Sequence, residues 1–306
     1  MTPARAGVAS WTPEGPGPVV AIGNFDGVHA GHRAVLARLF ALAADLGAPS
    51  CVLTFEPAPT AVLAPERHQP RILLVADRVR LLEEAGVDRI IVQPFTREFA
   101  GRSARWFAEE LLGNTLRARG LVVGYDFRFG QGRQGDVATL RALLPGVPVV
   151  EVGAFSLDDA PVSSSRIRRL VAAGEVEAAA GLLGRPHRLQ GTVVHGDHRG
   201  RAIGFPTANV QNEVELVPAF GVYAVRARVD GGPALPAVAN IGVRPTFDAT
   251  ELRVEVHLLD FQGDVYGRRV AVDLVARIRG EARFSGIDAL QAQIRVDAAR
   301  ARELLG

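Results

Sequence analysis

Two histidines straddle a glycine in Gly23-Asn24-Phe25-Asp26-Gly27-Val28-His29-Ala30-Gly31-His32, between a short apolar run and an amphipathic one. The first run reads as a strand and the second as a helix, so the histidines fall where a helix begins. A helix N-terminus offers unpaired N–H groups and positive partial charge, which suits phosphate oxygens. Two imidazoles there can donate hydrogen bonds to charge building on an α-phosphate and on a departing pyrophosphate. Gly31 lets a nucleotide come close to the backbone. Val162-Ser163-Ser164-Ser165-Arg166-Ile167-Arg168-Arg169 sets hydroxyls ahead of arginines, just before a short helix stopped by Gly174. That is a second anion cradle, although alone it reads equally as a capped, solvated helix start.

A third group begins at Gly191-Thr192-Val193-Val194-His195-Gly196-Asp197. It continues through Arg199-Gly200-Arg201-Ala202-Ile203-Gly204-Phe205-Pro206-Thr207-Ala208-Asn209. A glycine-rich loop without lysine can wrap phosphates through backbone N–H groups. Thr207 and Asn209 alternate around Ala208, so in an extended chain they point the same way. A hydroxyl and an amide oxygen on one face are hard ligands for Mg²⁺, with phosphate oxygens and water completing the shell. By itself the same tetrapeptide is a turn before a strand.

Composition narrows the chemistry. There are 35 basic and 33 acidic residues, a formal charge of +2, and no lysine. The pI of 9.2 reflects the high pKa of arginine rather than a large positive excess. Without lysine there is no Gly-Lys-Ser/Thr phosphate loop, so nucleotide chemistry falls to arginine, histidine, backbone N–H groups and a metal. No basic stripe is interleaved with stacking aromatics, so nucleic acid is not an expected partner. The single cysteine, Cys51, excludes an internal disulfide and reads as a buried strand residue. No signal-peptide core and no apolar run near about 18 residues is present, so a cytoplasmic protein without membrane contact is expected. A homo-oligomer stays open.

The elements that must hold these groups alternate at first. Residues 1–16, rich in Pro, Gly and Ala, read as a loose arm. Strands are expected at Val19–Ile22, 50–54, 89–92, 121–123 and 148–152, and helices at 31–46, 77–85 (Asp77 as N-cap), 103–112 and Val137–Leu143. Such alternation predicts a parallel sheet covered by helices. After Gly184 the pattern turns β-rich, at 189–194, 222–229, 252–259 and 270–278, with a last helix at Ile287–Leu305. This half reads as an antiparallel barrel with a terminal helix packed on it.

The motifs taken together resemble the bacterial bifunctional riboflavin kinase/FMN adenylyltransferases. The likeness rests on the His-x-Gly-His turn, Thr54-Phe55-Glu56-Pro57, Gly124-Tyr125-Asp126-Phe127-Arg128-Phe129-Gly130, the Ser-Ser-Ser-x-x-Arg run and Gly204-Phe205-Pro206-Thr207-Ala208-Asn209. It also rests on Asn240-Ile241-Gly242-Val243-Arg244-Pro245-Thr246-Phe247, Val254-Glu255-Val256-His257 and Arg279-Gly280-Glu281-Ala282-Arg283-Phe284. It implies an α/β nucleotidylyltransferase-like (Rossmann-type) domain over 17–184 and a riboflavin kinase β-barrel with a C-terminal helix over 187–306. The expected substrates are riboflavin, FMN and ATP, with FAD as product and Mg²⁺ as cofactor. By the resemblance His29, His32 and Arg168 act on ATP phosphates, and Gly23, Phe25, Asp26, Gly31, Asp126, Phe127, Ser164 and Ser165 line that site. Ser165 stands where the family has threonine, which keeps the hydroxyl. Thr207 and Asn209 would hold the metal beside Gly204 and Pro206. Glu255 would be the base for the flavin hydroxyl, and Arg283 and Phe284 would touch the flavin. A flavin sensor or carrier on a degenerate scaffold is the alternative.

Overall fold

The computed structural model describes residues 5–11, 15–195, 204–245 and 250–306. The expected glycine-rich loop at 196–203 and Thr246-Phe247 lie outside the described residues. Two compact units divide the chain: Met1–Pro70 with Val75–Ser163, and Arg71–Leu74 with Ser164–Gly306.

The first unit is built on a wholly parallel sheet. Its strands are β1 (Arg5–Ala6), β2 (Val19–Ile22), β3 (Ser50–Glu56), β4 (Arg89–Pro94), β5 (Gly120–Gly124) and β6 (Val149–Val152), in the order β1-β4-β3-β2-β5-β6. Every residue of β2 and all but the last of β3 are buried, as expected where helices cover both faces of a parallel sheet. One face carries Val20, Ile22, Cys51, Leu53, Leu121 and Val123 against Leu111, Leu112, Leu116 and Leu140. Truncating any of these buried leucines to alanine costs about 2–5 kcal/mol. Cys51 is inert there: burial pushes its thiol pKa up to about 12.

Local chemistry sets the boundaries. Asp136 caps Val137–Leu143 by accepting from the Thr139 N–H, and Ser103 accepts from the Trp106 N–H at the start of an earlier helical stretch. That stretch runs on through Phe107–Thr115 with wide π turns, further than the periodicity predicts. Two expectations need correction. Asp77 is not an N-cap: the helix spans Val75–Glu84, and Asp77 in its first turn pairs with Arg80 at 3.0 Å. The N-terminal arm is not loose throughout, because β1 adds to β4 and Trp11 packs into the core, 8% exposed.

The second unit opens with two short helices, Ser164–Ala173 and Val176–Leu183. After the hairpin β7–β8 (Ser156–Leu157, Ala160–Pro161) of the first unit, its own strands are β9 (His187–Val194), β10 (Ala208–Asn212), β11 (Gly221–Val229), β12 (Leu235–Pro245), β13 (Thr250–Leu258) and β14 (Arg269–Arg279). They close into an antiparallel barrel, β10-β13-β12-β11-β14-β9. Leu189, Val193, Val210, Tyr223, Val225, Ile241, Val254, Val256, Val272 and Leu274 fill it, as small barrels require. The helix Ile287–Leu305 covers one outer flank through Ala298, Ala301 and Leu305. The excursion of residues 71–74 into this unit is not predicted by the sequence: Arg71 pairs with Glu215 at 2.6 Å, and Leu74 packs against the barrel core.

His187 is sealed in this unit at 2% exposure, with Nε2 2.9 Å from the Leu216 carbonyl. Burial is the largest cause that lowers its pKa to about 4. An unfolded histidine titrates near its ordinary value of about 6.5, so unfolded chains bind more protons between those two pH values. Stability from this residue is flat above about pH 6.5 and falls by about 3 kcal/mol as pH drops to 4. Urea unfolding at pH 7 and pH 4.5 should show this slope, and His187→Gln should lose that part of it.

Candidate active sites

In the first unit β2 has β3 on one side and β5 on the other, so the chain reverses its direction of winding there. Ligands of open α/β sheets bind outside the carboxyl ends of the strands at such a switch point. Residues 23–29 leave β2 at this place and residues 124–130 leave β5. The first loop is pinned from below: the Asn24 carbonyl accepts from Thr54 Oγ1 and from Arg78 Nη1, both at 3.0 Å. Phe25 (φ 49°), Gly27 (φ 94°) and Val28 (φ 41°) turn left-handed. For a β-branched residue this is strained, at about 1–3 kcal/mol. Burial of the Phe25 and Val28 side chains, 1% and 2% exposed, offsets a cost of that size. Asp26 is also buried, at 9%.

The turn delivers both histidines to the start of the helix Ala30–Asp45. His29 is its N-cap, and its Nδ1 accepts from the His32 N–H at 3.3 Å. In the neutral ring the proton therefore sits on Nε2. The two rings stack with centroids 3.7 Å apart, and Phe25 lies 5.1 Å from His32. Burial first, then the charges of His29 and Arg78, hold the His32 pKa well below its ordinary value, so this ring is neutral at pH 7. Its Nδ1 is buried with no partner among the described residues, a polar atom left for a ligand to satisfy. At Gly31 a Cβ would stand 3.1 Å from the Val162 carbonyl and 3.2 Å from the His29 ring.

Arg78 is absent from the sequence-based site. It is 5% exposed, pairs with Glu56 at 3.0 Å and bonds the Phe55 carbonyl at 3.2 Å. Its signal was an arginine one turn from Leu82, on the buried face of its helix, because a charge there must have partners.

Beyond β5, Asp126 is exposed and Phe127 half-buried, stacked on Phe129 at 5.5 Å. Phe129 in turn meets Phe107 at 5.2 Å. Gly130 (φ 73°) is forced: a Cβ would stand 2.6 Å from the Ala104 nitrogen. Ser164, Ser165 and Arg168 share the first turns of the helix Ser164–Ala173 in the second unit. Ser165 is exposed and Arg168 half-buried, and at i, i+3 and i, i+4 the three face one way.

The barrel site lies on an outer face. Val254 and Val256 point into the barrel, so Glu255 points out. Its register partners are Asn209 on β10 and Asn240 on β12. Asn240 Nδ2 donates to Glu255 Oε2 at 3.4 Å, and Arg253 stands 3.4 Å from Oε1. The carboxylate is 22% exposed, not a freely solvated strand residue. Ala208 is buried with Thr207 and Asn209 on the opposite side of the chain, so both face the Glu255 row. Gly204 (φ 83°) and Pro206 are exposed, and the Pro206 carbonyl accepts from His257 Nδ1 at 2.8 Å. The threonine hydroxyl and the asparagine amide oxygen fit a magnesium ion by donor type. Among the described residues no group of three or more His, Cys, Asp or Glu could hold a metal alone. Arg283 is exposed, and Phe284 lies under the Arg279 guanidinium at 5.6 Å. None of Asn240, Arg253 and His257 was given a role from sequence: Asn240 meets Glu255 only once the β12–β13 register is set, whereas Arg253 and His257, two residues to either side of Glu255 on β13, share its face by alternation alone.

No helix among the described residues is long and apolar enough to cross a membrane. Residues 12–166 match the FAD synthetase family and residues 183–305 the riboflavin kinase family. The chain is 42% identical to the bifunctional riboflavin kinase/FMN adenylyltransferase of Escherichia coli K12 over 292 residues, 95% of this chain and 93% of that one. It is 43% identical to the protein of that description from Pseudomonas fluorescens, covering 97% and 96% of the two chains. A crystal structure described as a macrolide-efflux protein from Streptococcus pneumoniae is 32% identical, covers 98% of both chains and superposes with a TM-score of 0.89. Both family matches, in this order along one chain, make it a member of the bifunctional riboflavin kinase/FMN adenylyltransferase family.

Proposed function

We propose that this chain makes FAD from riboflavin and two molecules of ATP, phosphorylating the flavin on the barrel (187–306) and adenylylating FMN on the α/β domain (17–184). The observation that carries the reading is the pairing of a histidine stack at a helix N-terminus with a Thr/Asn/Glu face on a barrel, each in the unit whose family match calls for it. The setting is taken to be cytoplasmic.

On the barrel the riboflavin hydroxyl attacks the γ-phosphorus of ATP. A primary alcohol is a poor nucleophile, and Glu255 takes its proton as the O–P bond forms and ADP leaves. Asn240 and Arg253 orient the carboxylate, leaving lone pairs for the hydroxyl. Thr207 and Asn209 would hold Mg²⁺, which neutralises phosphate charge during transfer. In the other domain FMN needs no base, since its phosphate is largely dianionic at pH 7. It attacks the α-phosphorus and pyrophosphate departs. His29 and His32 donate hydrogen bonds to the charge that builds, and Ser164, Ser165 and Arg168 are the phosphate-binding residues that the family resemblance assigns. Gly23, Phe25, Asp26, Asp126 and Phe127 line the nucleotide and flavin positions. Arg283 and Phe284 touch the flavin on the barrel, and Gly204 and Pro206 line the nucleotide position.

Incubation with riboflavin, ATP and Mg²⁺ should give FMN and ADP first, then FAD and pyrophosphate. Flavin binding without ATP consumption would instead support a sensor or carrier. Gly31→Ala tests the phosphate approach. Alanine raises helix propensity by about 1 kcal/mol, which offsets part of the cost of moving the neighbours, so the fold should be kept. The added methyl displaces the Val162 carbonyl or the His29 ring by a few tenths of an ångström, and FMN adenylylation should fall about tenfold.

A further inference from the structure

His257 stands two residues beyond Glu255 on β13 and on the same face, yet it has no part in taking the hydroxyl proton. The side chain is half-buried. Its Nδ1 lies 2.8 Å from the Pro206 carbonyl oxygen, and its ring meets that of Phe205 edge-on with centroids 5.7 Å apart. A carbonyl only accepts, so Nδ1 carries the proton and donates it.

The backbone explains why a side chain is needed there. β10 begins at Ala208 and pairs with β13 at Ala208↔Val256 and Asn209↔Glu255. Continued by two residues, that antiparallel register would set Pro206 opposite Leu258, and proline has no N–H to give to a ladder. The ladder therefore ends between the two metal candidates: Asn209 lies inside it and Thr207 just outside. Thr207 is fixed from its other side, through the bond that His257 makes to the carbonyl before it. Because that bond comes from β13, it ties Thr207 to the strand that carries Glu255.

We propose that His257 is a positioning residue for riboflavin phosphorylation, pinning the Pro206 carbonyl to β13 so that the Thr207 hydroxyl is held with the Asn209 amide oxygen for Mg²⁺. This rests on the kinase reading of the barrel. When the bond is lost, Thr207 is in place only part of the time, and apparent metal affinity falls by that fraction. Partners that orient a metal ligand contribute about tenfold or more to affinity. His257 bonds to backbone and not to a reacting atom, so turnover at saturating Mg²⁺ is largely kept.

The test compares the full chain with His257→Val and His257→Asn. Valine suits a strand and has no donor, whereas asparagine puts an amide N–H where Nδ1 stood. Riboflavin phosphorylation is followed against free Mg²⁺ at saturating ATP and riboflavin, and ADP binding is measured by calorimetry in Mg²⁺ and in EDTA. His257→Val should need about tenfold more Mg²⁺ for half-maximal rate, with kcat at saturating Mg²⁺ within about threefold. Its riboflavin KM should not move. ADP affinity should fall by a similar factor in Mg²⁺ and hold in EDTA; any binding in the other unit is common to both chains and cancels. His257→Asn should restore the ordinary Mg²⁺ requirement. His257→Thr, a polar strand former too short to reach the carbonyl, takes the place of His257→Val where valine harms the barrel. An unchanged Mg²⁺ requirement, an equal loss of ADP affinity with and without the metal, or asparagine as harmful as valine would overturn the proposal. Failure of the kinase reading looks different: the unaltered chain would phosphorylate no riboflavin at any Mg²⁺ concentration.

Discussion

Replacing His29 and His32 together by alanine should leave a chain that converts riboflavin to FMN and stops there. The loop that carries them is held by Thr54 and Arg78 through the Asn24 carbonyl, neither of which the substitution touches. What disappears is a pair of imidazole donors at a helix N-terminus, where the backbone N–H groups remain. Loss of one preorganised donor to developing charge costs about 10²–10³-fold in rate. Two that act on one phosphate chain are not additive, so about 10³-fold is expected for adenylylation of supplied FMN. Riboflavin phosphorylation, in the other unit, should be unchanged. Because the His32 pKa is held well below its ordinary value, the unaltered rate should show no titration of this residue between pH 6 and about 8. A pH–rate profile of FAD formation from FMN checks this, and a fall on deprotonation near pH 6.5 would mean that a charged imidazole is required.

Glu255→Gln should have the opposite selectivity. Glutamine keeps the size of the side chain and can still meet Asn240 and Arg253, yet it cannot accept a proton at neutral pH. Removing a positioned base lowers the rate by about 10²–10⁴-fold, so riboflavin phosphorylation should nearly vanish with little change in stability. FAD formation from supplied FMN should persist at the unaltered rate. Equal loss of both activities would point to damage beyond one site.

Most of the fold could be read from sequence, because the parallel strands are continuous apolar runs and helices end at clear stops such as Gly47 and Gly86. Of the barrel strands, β10 and β12 escaped. Leu235–Pro245 carries Pro236 and Pro245 near its ends and is interrupted by Ala237, Ala239, Asn240 and Gly242, all of low β propensity. It is a strand because Ala237, Ala239 and Ile241 fit the crowded barrel interior. Those missing strands also hid half of the kinase face, since Asn240 reaches Glu255 only through the β12–β13 register. His29 and His32 were legible from type and spacing, whereas Arg78 was not. An arginine near a helix start reads as solvated until its carbonyl and carboxylate partners are brought in from other loops. The role of Glu255 came only from resemblance, because a lone carboxylate between valines carries no local mark of catalysis.

The central claim is that one chain carries two complete and separable active sites. It is tested most directly by mixing the Glu255→Gln chain with the His29→Ala/His32→Ala chain in riboflavin, ATP and Mg²⁺, and following FAD by chromatography. Each alone should make none from riboflavin, and the mixture should make it, after a lag in which FMN released by one is used by the other. A mixture that accumulates FMN without FAD, or makes neither, would contradict the account.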